Sequence, residues 1–194
     1  MAGLPNAISL PDKFIFMKVG DHAAETWQQI LERKRREYDE AGMIFWGYGG
    51  NACHPINQVQ PFSKLLLKEM EDVVLVMEYI SSDADPDIVP ATEYSKDGVL
   101  WEPIPQGIKV TGSRYALVLD EIQPGDLQVS LNRYEVAVGP SAGKPAELYL
   151  QGRTDKACFV KSREERVVEA SPEKITRKAS FYARLKDPYA VVLR

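Results

Sequence analysis

The chain has 194 residues, 44% hydrophobic and 27% charged, with a formal net charge of −4. That length suits a single domain with a substantial core, and no apolar run approaches the roughly 20 residues of a membrane-spanning helix. The first residues lack the basic cluster and apolar stretch of a secretory signal, and two cysteines, Cys53 and Cys158, make no disulfide framework. The expectation is a soluble, cytoplasmic protein with free thiols.

The charge is unevenly placed. Residues 1–150 carry 13 Lys+Arg against 22 Asp+Glu, and residues 151–194 carry 11 against 6. A basic C-terminal stretch facing the acidic part of its own fold is the plainest account of this asymmetry.

In chain order, Pro5 and Pro11 discourage helix in an extended lead-in. Phe14 to Val19 reads as a buried strand ending at Gly20. Asp21 then caps an amphipathic helix over His22–Ala41. Ala24, Trp27, Ile30, Leu31, Tyr38 and Ala41 form its apolar face, and Glu25, Arg33 and Glu37 belong to the solvated remainder. Gly42 closes the helix. A second strand spans 43–48, a shorter helix opens on Pro61 and runs over 61–71 with Phe62, Leu65, Leu66 and Met70 inward, and Val73–Ile80 is apolar enough for a strand covered on both faces.

Residues 81–106 are acidic and proline-punctuated, and read as an irregular excursion able to cover a site. From Ile108 onward short strand candidates alternate with turn residues: 108–111, 115–121, 127–133, 134–138, 146–151 and 157–161. Short helices are expected after Ser162, as a capping box, and after Ser171. Strands at 179–184 and 189–193 close the chain. Helices before residue 72 and strands after it predict an α+β fold. One domain over 1–194 is expected, with a helix-and-strand part over 13–80, a flap over 81–106 and a meander-rich part over 107–194, on a mixed or mostly antiparallel sheet.

The run Gly42–Phe62 concentrates the chemistry. An apolar strand enters Gly47, Gly49 and Gly50, followed by Asn51, Cys53, His54, Asn57, Gln58 and Gln60. Glycines permit positive φ and close backbone approach to a ligand, and their amides can form an anion-binding nest. Adjacent Cys53 and His54 are poorly disposed to act as a nucleophile–base pair, so His54 is the candidate acid/base. Tyr48, Asn51 and Gln58 would orient a substrate, Trp46 would stack on a planar group, and Cys53, Gly49 and Gly50 complete the candidate ligand-binding set. The alternative is that His54 and the amides merely tie down a loop.

His22, placed at a helix N-terminus, is expected to be neutral. Taken as parallel neighbours in one sheet, strands 14–19 and 43–48 would bring His22 to the same edge as the 47–54 loop, where parallel strands hold ligands. The glycine run matches neither the P-loop nor the dinucleotide fingerprint, Asp83, Asp85 and Asp87 fail the calcium-loop pattern at Ile88 and Tyr94, and no zinc spacing is present. No metal site is expected, and no cofactor is named by any motif.

The leading expectation is a small-molecule-binding domain or enzyme with its site at residues 46–60 and a nucleotide-like ligand, a transferase or hydrolase if catalytic. The rival is an acidic protein-interaction or inhibitor module without a pocket. A nucleic-acid face built from Arg153, Lys156, Lys161, Arg163 and Arg166 with Phe159 is the least favoured, and no membrane partner is expected.

Overall fold

The structure is a computed structural model and describes residues 10–49, 54–68, 74–84, 89–151, 154–162 and 175–194. The strands are β1 (Lys13–His22), β2 (Ile44–Gly47), β3 (Val74–Ala84), β4 (Glu93–Ser95), β5 (Glu102–Pro103), β6 (Tyr115–Ser130), β7 (Tyr134–Val136), β8 (Lys156–Lys161) and β9 (Thr176–Leu193). The α-helices among the described residues are α1 (Trp27–Ala41), α2 (Ile56–Lys68) and α3 (Ala146–Tyr149). The fold thus mixes helices with one large, mostly antiparallel sheet.

Strand order in that sheet is β2-β6-β9-β3-β1-β8-β7, with β4 pairing β9 and β5. Among the described residues only β1 and β3 run parallel, in the register Ile15↔Leu75 to Val19↔Tyr79. The longest ladder joins β6 to β9, which lie far apart in sequence, so the C-terminal half is held by a non-local pairing rather than by a simple meander. Both long strands absorb the predicted turns as irregularities. Register shifts occur around Pro124–Leu127 in β6 and opposite Leu117–Leu119 in β9, where Asp187–Pro188 is a cis peptide.

Alternation along the strands sorts side chains onto two faces. On one face Ile15, Val19, Leu75, Met77, Leu117, Leu119 and Ala183 pack with Trp27 and Ile30 of α1 and Val59 and Phe62 of α2. On the other face, two separate clusters form. Phe14, Phe16, Val74, Val76 and Phe159 are covered by Leu131, Ala146 and Leu150. Phe45, Ala116, Val118 and Val191 are covered by Tyr94, with Ala91 and Ile104 beside it, from the irregular segment, and by Ile108 and Val110 just after it. That segment is therefore a structural cover for one part of the sheet, pinned by the bond from the Tyr94 hydroxyl to Glu102.

Several local expectations are corrected. Strand β1 does not stop at Gly20. It continues to His22 and turns through Ala23 and Ala24, both at positive φ (53° and 60°), with reciprocal main-chain bonds of 3.0 Å between His22 and Glu25. This is the geometry of a two-residue hairpin turn. Helix α1 therefore begins only at Trp27, where Thr26 and Gln29 form a capping box. Asp21 still serves the helix start, its carboxylate accepting from the Trp27 amide at 2.7 Å. At the other end Gly42 adopts φ 69° and bonds Tyr38, as a C-terminal cap requires.

Helix α2 starts five residues before Pro61. The proline costs the helix one hydrogen bond, to the carbonyl of Asn57, and Asn57 is exposed, so water can take that acceptor. Leu65 and Leu66 lie in α2 beyond the side chains described. Residues 146–149 form a helical turn where a strand was expected: Pro145 opens it and Ala146 and Leu150, one turn apart, are buried. Ile108–Thr111 lies outside the named strands. The helices expected after Ser162 and Ser171, and Met70, fall outside the described residues.

Candidate functional site

Strand β1 lies between β3 and β8, and β2 pairs with β6, so the two strands expected to be parallel neighbours are separated in the sheet order. They nonetheless meet, because the sheet curls. The Trp46 indole donates to the Met17 sulfur at 3.1 Å, and the Tyr48 hydroxyl donates to the Phe16 carbonyl at 3.3 Å. This closure leaves a cleft of about 320 Å³ between the end of β1, helix α1, the end of β2, residues 109–113 and the start of β8.

Its outer wall is fastened by charge. The Arg33 guanidinium bonds Glu25 at 2.7 Å and Glu37 at 2.9 Å, and Lys34 bonds Glu37 at 2.8 Å. Both cations also donate to the main-chain oxygen of Lys109 at 3.0 Å, and the Lys109 amide donates to Glu37 at 3.1 Å. Glu37 is fully buried and Lys34 nearly so. Burial pushes the Lys34 ammonium down to about 8, with the Glu37 carboxylate opposing that shift. At neutral pH it is still mostly protonated and has four oxygen acceptors within reach. The Arg33 and Lys34 charges are thus consumed within the wall.

The cleft itself is rich in donors. Lys18 donates to the Thr154 carbonyl at 2.9 Å and lies 3.8 Å from Asp155. Lys156 donates to the Tyr48 carbonyl at 2.9 Å and lies 5.6 Å from the centre of the Tyr48 ring. Thr111, Ser113 and exposed Lys109 also line it, together with the carboxylates of Asp21 and Asp155. Trp27 and Trp46 meet edge-to-face at 5.9 Å on the apolar side. Trp27 is 4% exposed and its indole N–H is buried with no hydrogen-bond partner among the described residues. A buried donor left unpaired is costly in a folded protein, so this atom lies behind the cleft surface as a local cost to the fold.

The predicted residues divide between this cleft and its surroundings. His22 and Trp46 line it, together with Gly47. His22 is half-buried, and burial, followed by the Lys156 ammonium, holds its pKa below the ordinary 6.5, so the imidazole is neutral near pH 7. Tyr48 lies fully buried behind the lining, offering its carbonyl to Lys156.

Gly49 sits against Tyr115 and lines a neighbouring cleft. His54 lies outside both clefts. It is 5% exposed, stacks parallel to Tyr149 at 6.0 Å, and accepts from the Tyr115 hydroxyl through its carbonyl. Burial lowers its pKa as well, and its Nε2 has no partner among the described residues. Gln58 lies beside Gly139, with a buried Oε1 that has no partner among the described residues. Gly50, Asn51 and Cys53 fall outside the described residues, as do Arg153, Arg163 and Arg166.

Sequence reasoning missed Lys18, Lys34, Lys109 and Ser113, and assigned Lys156 to an open surface. Two signals were available. Lys18 is a single charge inside the apolar run of β1, and Lys34 and Glu37 continue the inward stripe of α1 at helical spacing from Trp27 and Ile30. Among the described residues no three His, Cys, Asp or Glu side chains gather to hold a metal ion, and no helix is long and apolar enough to cross a membrane.

No family model, no curated protein and no solved structure matches the chain.

Proposed function

We propose that the protein binds a small anionic molecule with a planar part, of the nucleotide type, in the cleft between β1, α1 and residues 109–113. The observation that carries this reading is the gathering of Lys18, Lys109, Lys156, Thr111 and Ser113 in one cleft beside Trp27 and Trp46. Its basic side chains outnumber its carboxylates, Asp21 and Asp155, which suits phosphate or carboxylate oxygens. The indole edges of Trp27 and Trp46 supply the apolar surface for a planar group.

The reading shifts the centre of the expected site. Residues 46–60 contribute its edge through Trp46 and Gly47, and the histidine beside the ligand is His22 rather than His54. If the protein is a transferase or hydrolase, neutral His22 is the group able to accept a proton, with Lys156 close enough to lower its basicity.

The test is thermal unfolding with a panel of 5′-mononucleotides and inorganic phosphate. A binder raises the melting temperature of the wild type. Lys109→Gln combined with Lys156→Gln should abolish that rise. No rise with any mononucleotide up to millimolar concentration would remove the nucleotide reading.

A second reading, a protein-interaction module, is favoured by Val99 and Leu100. They are 75% and 72% exposed at the tip between β4 and β5, where an apolar pair in water suits a partner surface. It predicts that Val99→Ser with Leu100→Ser leaves nucleotide stabilisation unchanged while weakening association with a protein partner.

A further inference from the structure

The first cleft is bounded by a ridge with a second cleft behind it. Gly112 and Ser113 line both, and the second cleft, of about 490 Å³, is completed by Gly49, Val89–Ala91, Arg114 and Arg194. The ridge is held directly against main chain. Tyr115 accepts from the amides of Tyr48 and Gly49 at 3.1 and 3.0 Å, and the Arg114 amide donates to Gly49 at 3.3 Å.

Two glycines make this approach possible. A Cβ on Gly47 would lie 2.5 Å from the Ser113 hydroxyl, and one on Gly49 would lie 2.4 Å from the Tyr115 ring. Gly47 lines the first cleft and Gly49 the second, so the chain is kept bare on both sides of the ridge.

Basic side chains line both sides. Lys18, Lys109 and Lys156 line the first cleft beside the carboxylates of Asp21 and Asp155, and Arg114 and Arg194 line the second, whose lining contains no acidic residue among those described. Arg194 is fixed in place, bonded to Glu93 at 2.7 Å and lying 4.1 Å over the Trp101 ring. Arg114 is exposed. A guanidinium suits phosphate oxygens through its forked donors.

We infer that the ligand of this protein carries two anionic groups and straddles the Gly112–Ser113 ridge, one group among the lysines of the first cleft and the other at Arg114, with Arg194 beside it. A 5′-phosphorylated dinucleotide has this form, with one nucleotide on each side. The inference rests on the reading of the first cleft given above and extends it to the class of ligand. Joining two groups that each find a site converts the second contact into an intramolecular one and raises affinity without new contacts elsewhere.

Calorimetric titration of the full chain tests this with three probes: the tightest-binding 5′-mononucleotide, its 5′-diphosphate, and the matching 5′-phosphorylated dinucleotide. The dinucleotide is expected to bind at least about tenfold more tightly than either other probe. Arg114→Ala should erase that advantage while leaving mononucleotide affinity within about twofold, which also reports that the variant is folded. A dinucleotide no tighter than the diphosphate, or an advantage that survives Arg114→Ala, overturns the inference and leaves the first cleft standing. Binding of none of the three overturns both.

Discussion

The Lys34 ammonium donates to the main-chain oxygen of Phe45 at 2.6 Å and so ties the middle of α1 to the sheet-edge strand β2. The same ammonium bonds Glu37 and the Lys109 carbonyl, which makes it the joint between three walls of the cleft. Lys34→Met would remove the joint and leave the fully buried Glu37 with Arg33 as its remaining cation. Breaking a buried pair from one side costs several kcal/mol, so a loss of about 3 kcal/mol is expected by urea denaturation. Adding Glu37→Leu should recover part of it. A single-variant loss below about 1 kcal/mol would mean that the network is not a structural joint.

The turn between β1 and α1 places two alanines at positive φ, a conformation that costs an ordinary residue roughly 1 kcal/mol or more. Asn and Gly are the residues that such a turn favours. Ala23→Asn with Ala24→Gly is therefore expected to stabilise the protein by about 1–2 kcal/mol. Because the turn carries His22 into the cleft, the same pair of changes should leave ligand affinity close to wild type. Destabilisation would contradict the described backbone.

Both histidines have folded-state pKa values below 6.5. The unfolded chain takes up protons near that value which the folded chain resists. Their contribution to stability is therefore complete above pH 6.5 and is lost as pH falls toward the depressed folded values. The urea midpoint should be lower at pH 5.5 than at pH 7.5. His54→Phe keeps a ring against Tyr149 but removes the proton, so it should lessen the fall. An identical fall in wild type and variant would exclude His54 as a contributor.

The two glycines facing the ridge differ in what a methyl group would meet. At Gly47 it meets the end of the Ser113 side chain, which can rotate away. At Gly49 it meets the Tyr115 ring and, at 2.7 Å, the Tyr115 main-chain nitrogen. Overpacking against main chain forces backbone shifts costing roughly 1–3 kcal/mol. Gly49→Ala should therefore destabilise clearly more than Gly47→Ala, as thermal unfolding of the two variants would reveal.

What could be read from the sequence follows from what sequence patterns encode. The apolar run of β3 and the Gly42 cap on α1 are local features, and both appear where expected. Periodicity assigns faces but not partners, so it does not reveal that β1 pairs with β3 and β8 rather than with β2, nor that β6 and β9 form the longest ladder. The start of α1 was misplaced because Ala23 and Ala24 carry no turn signal, and Asp21 resembled a cap at its own position. Lys34 and Glu37 follow the inward spacing of α1, but a charge at such a position reads as solvated unless its partner is known, and here each neutralises the other on the same helix. The glycine-rich segment did point toward the cleft, through Trp46 and Gly47, but the other lining residues come from separate parts of the chain and meet only once the sheet has curled.

The central claim is that an anionic ligand enters the cleft lined by Trp27 and Trp46. With only three tryptophans in the chain, their indole N–H signals can be followed by nitrogen-edited NMR and assigned with single Trp→Phe variants. On titration with a binding mononucleotide, the Trp27 indole signal is expected to shift in proportion to occupancy, while that of Trp101, outside the first cleft, stays in place. A saturable titration that moves Trp101 and leaves Trp27 unchanged would contradict the account and locate binding elsewhere.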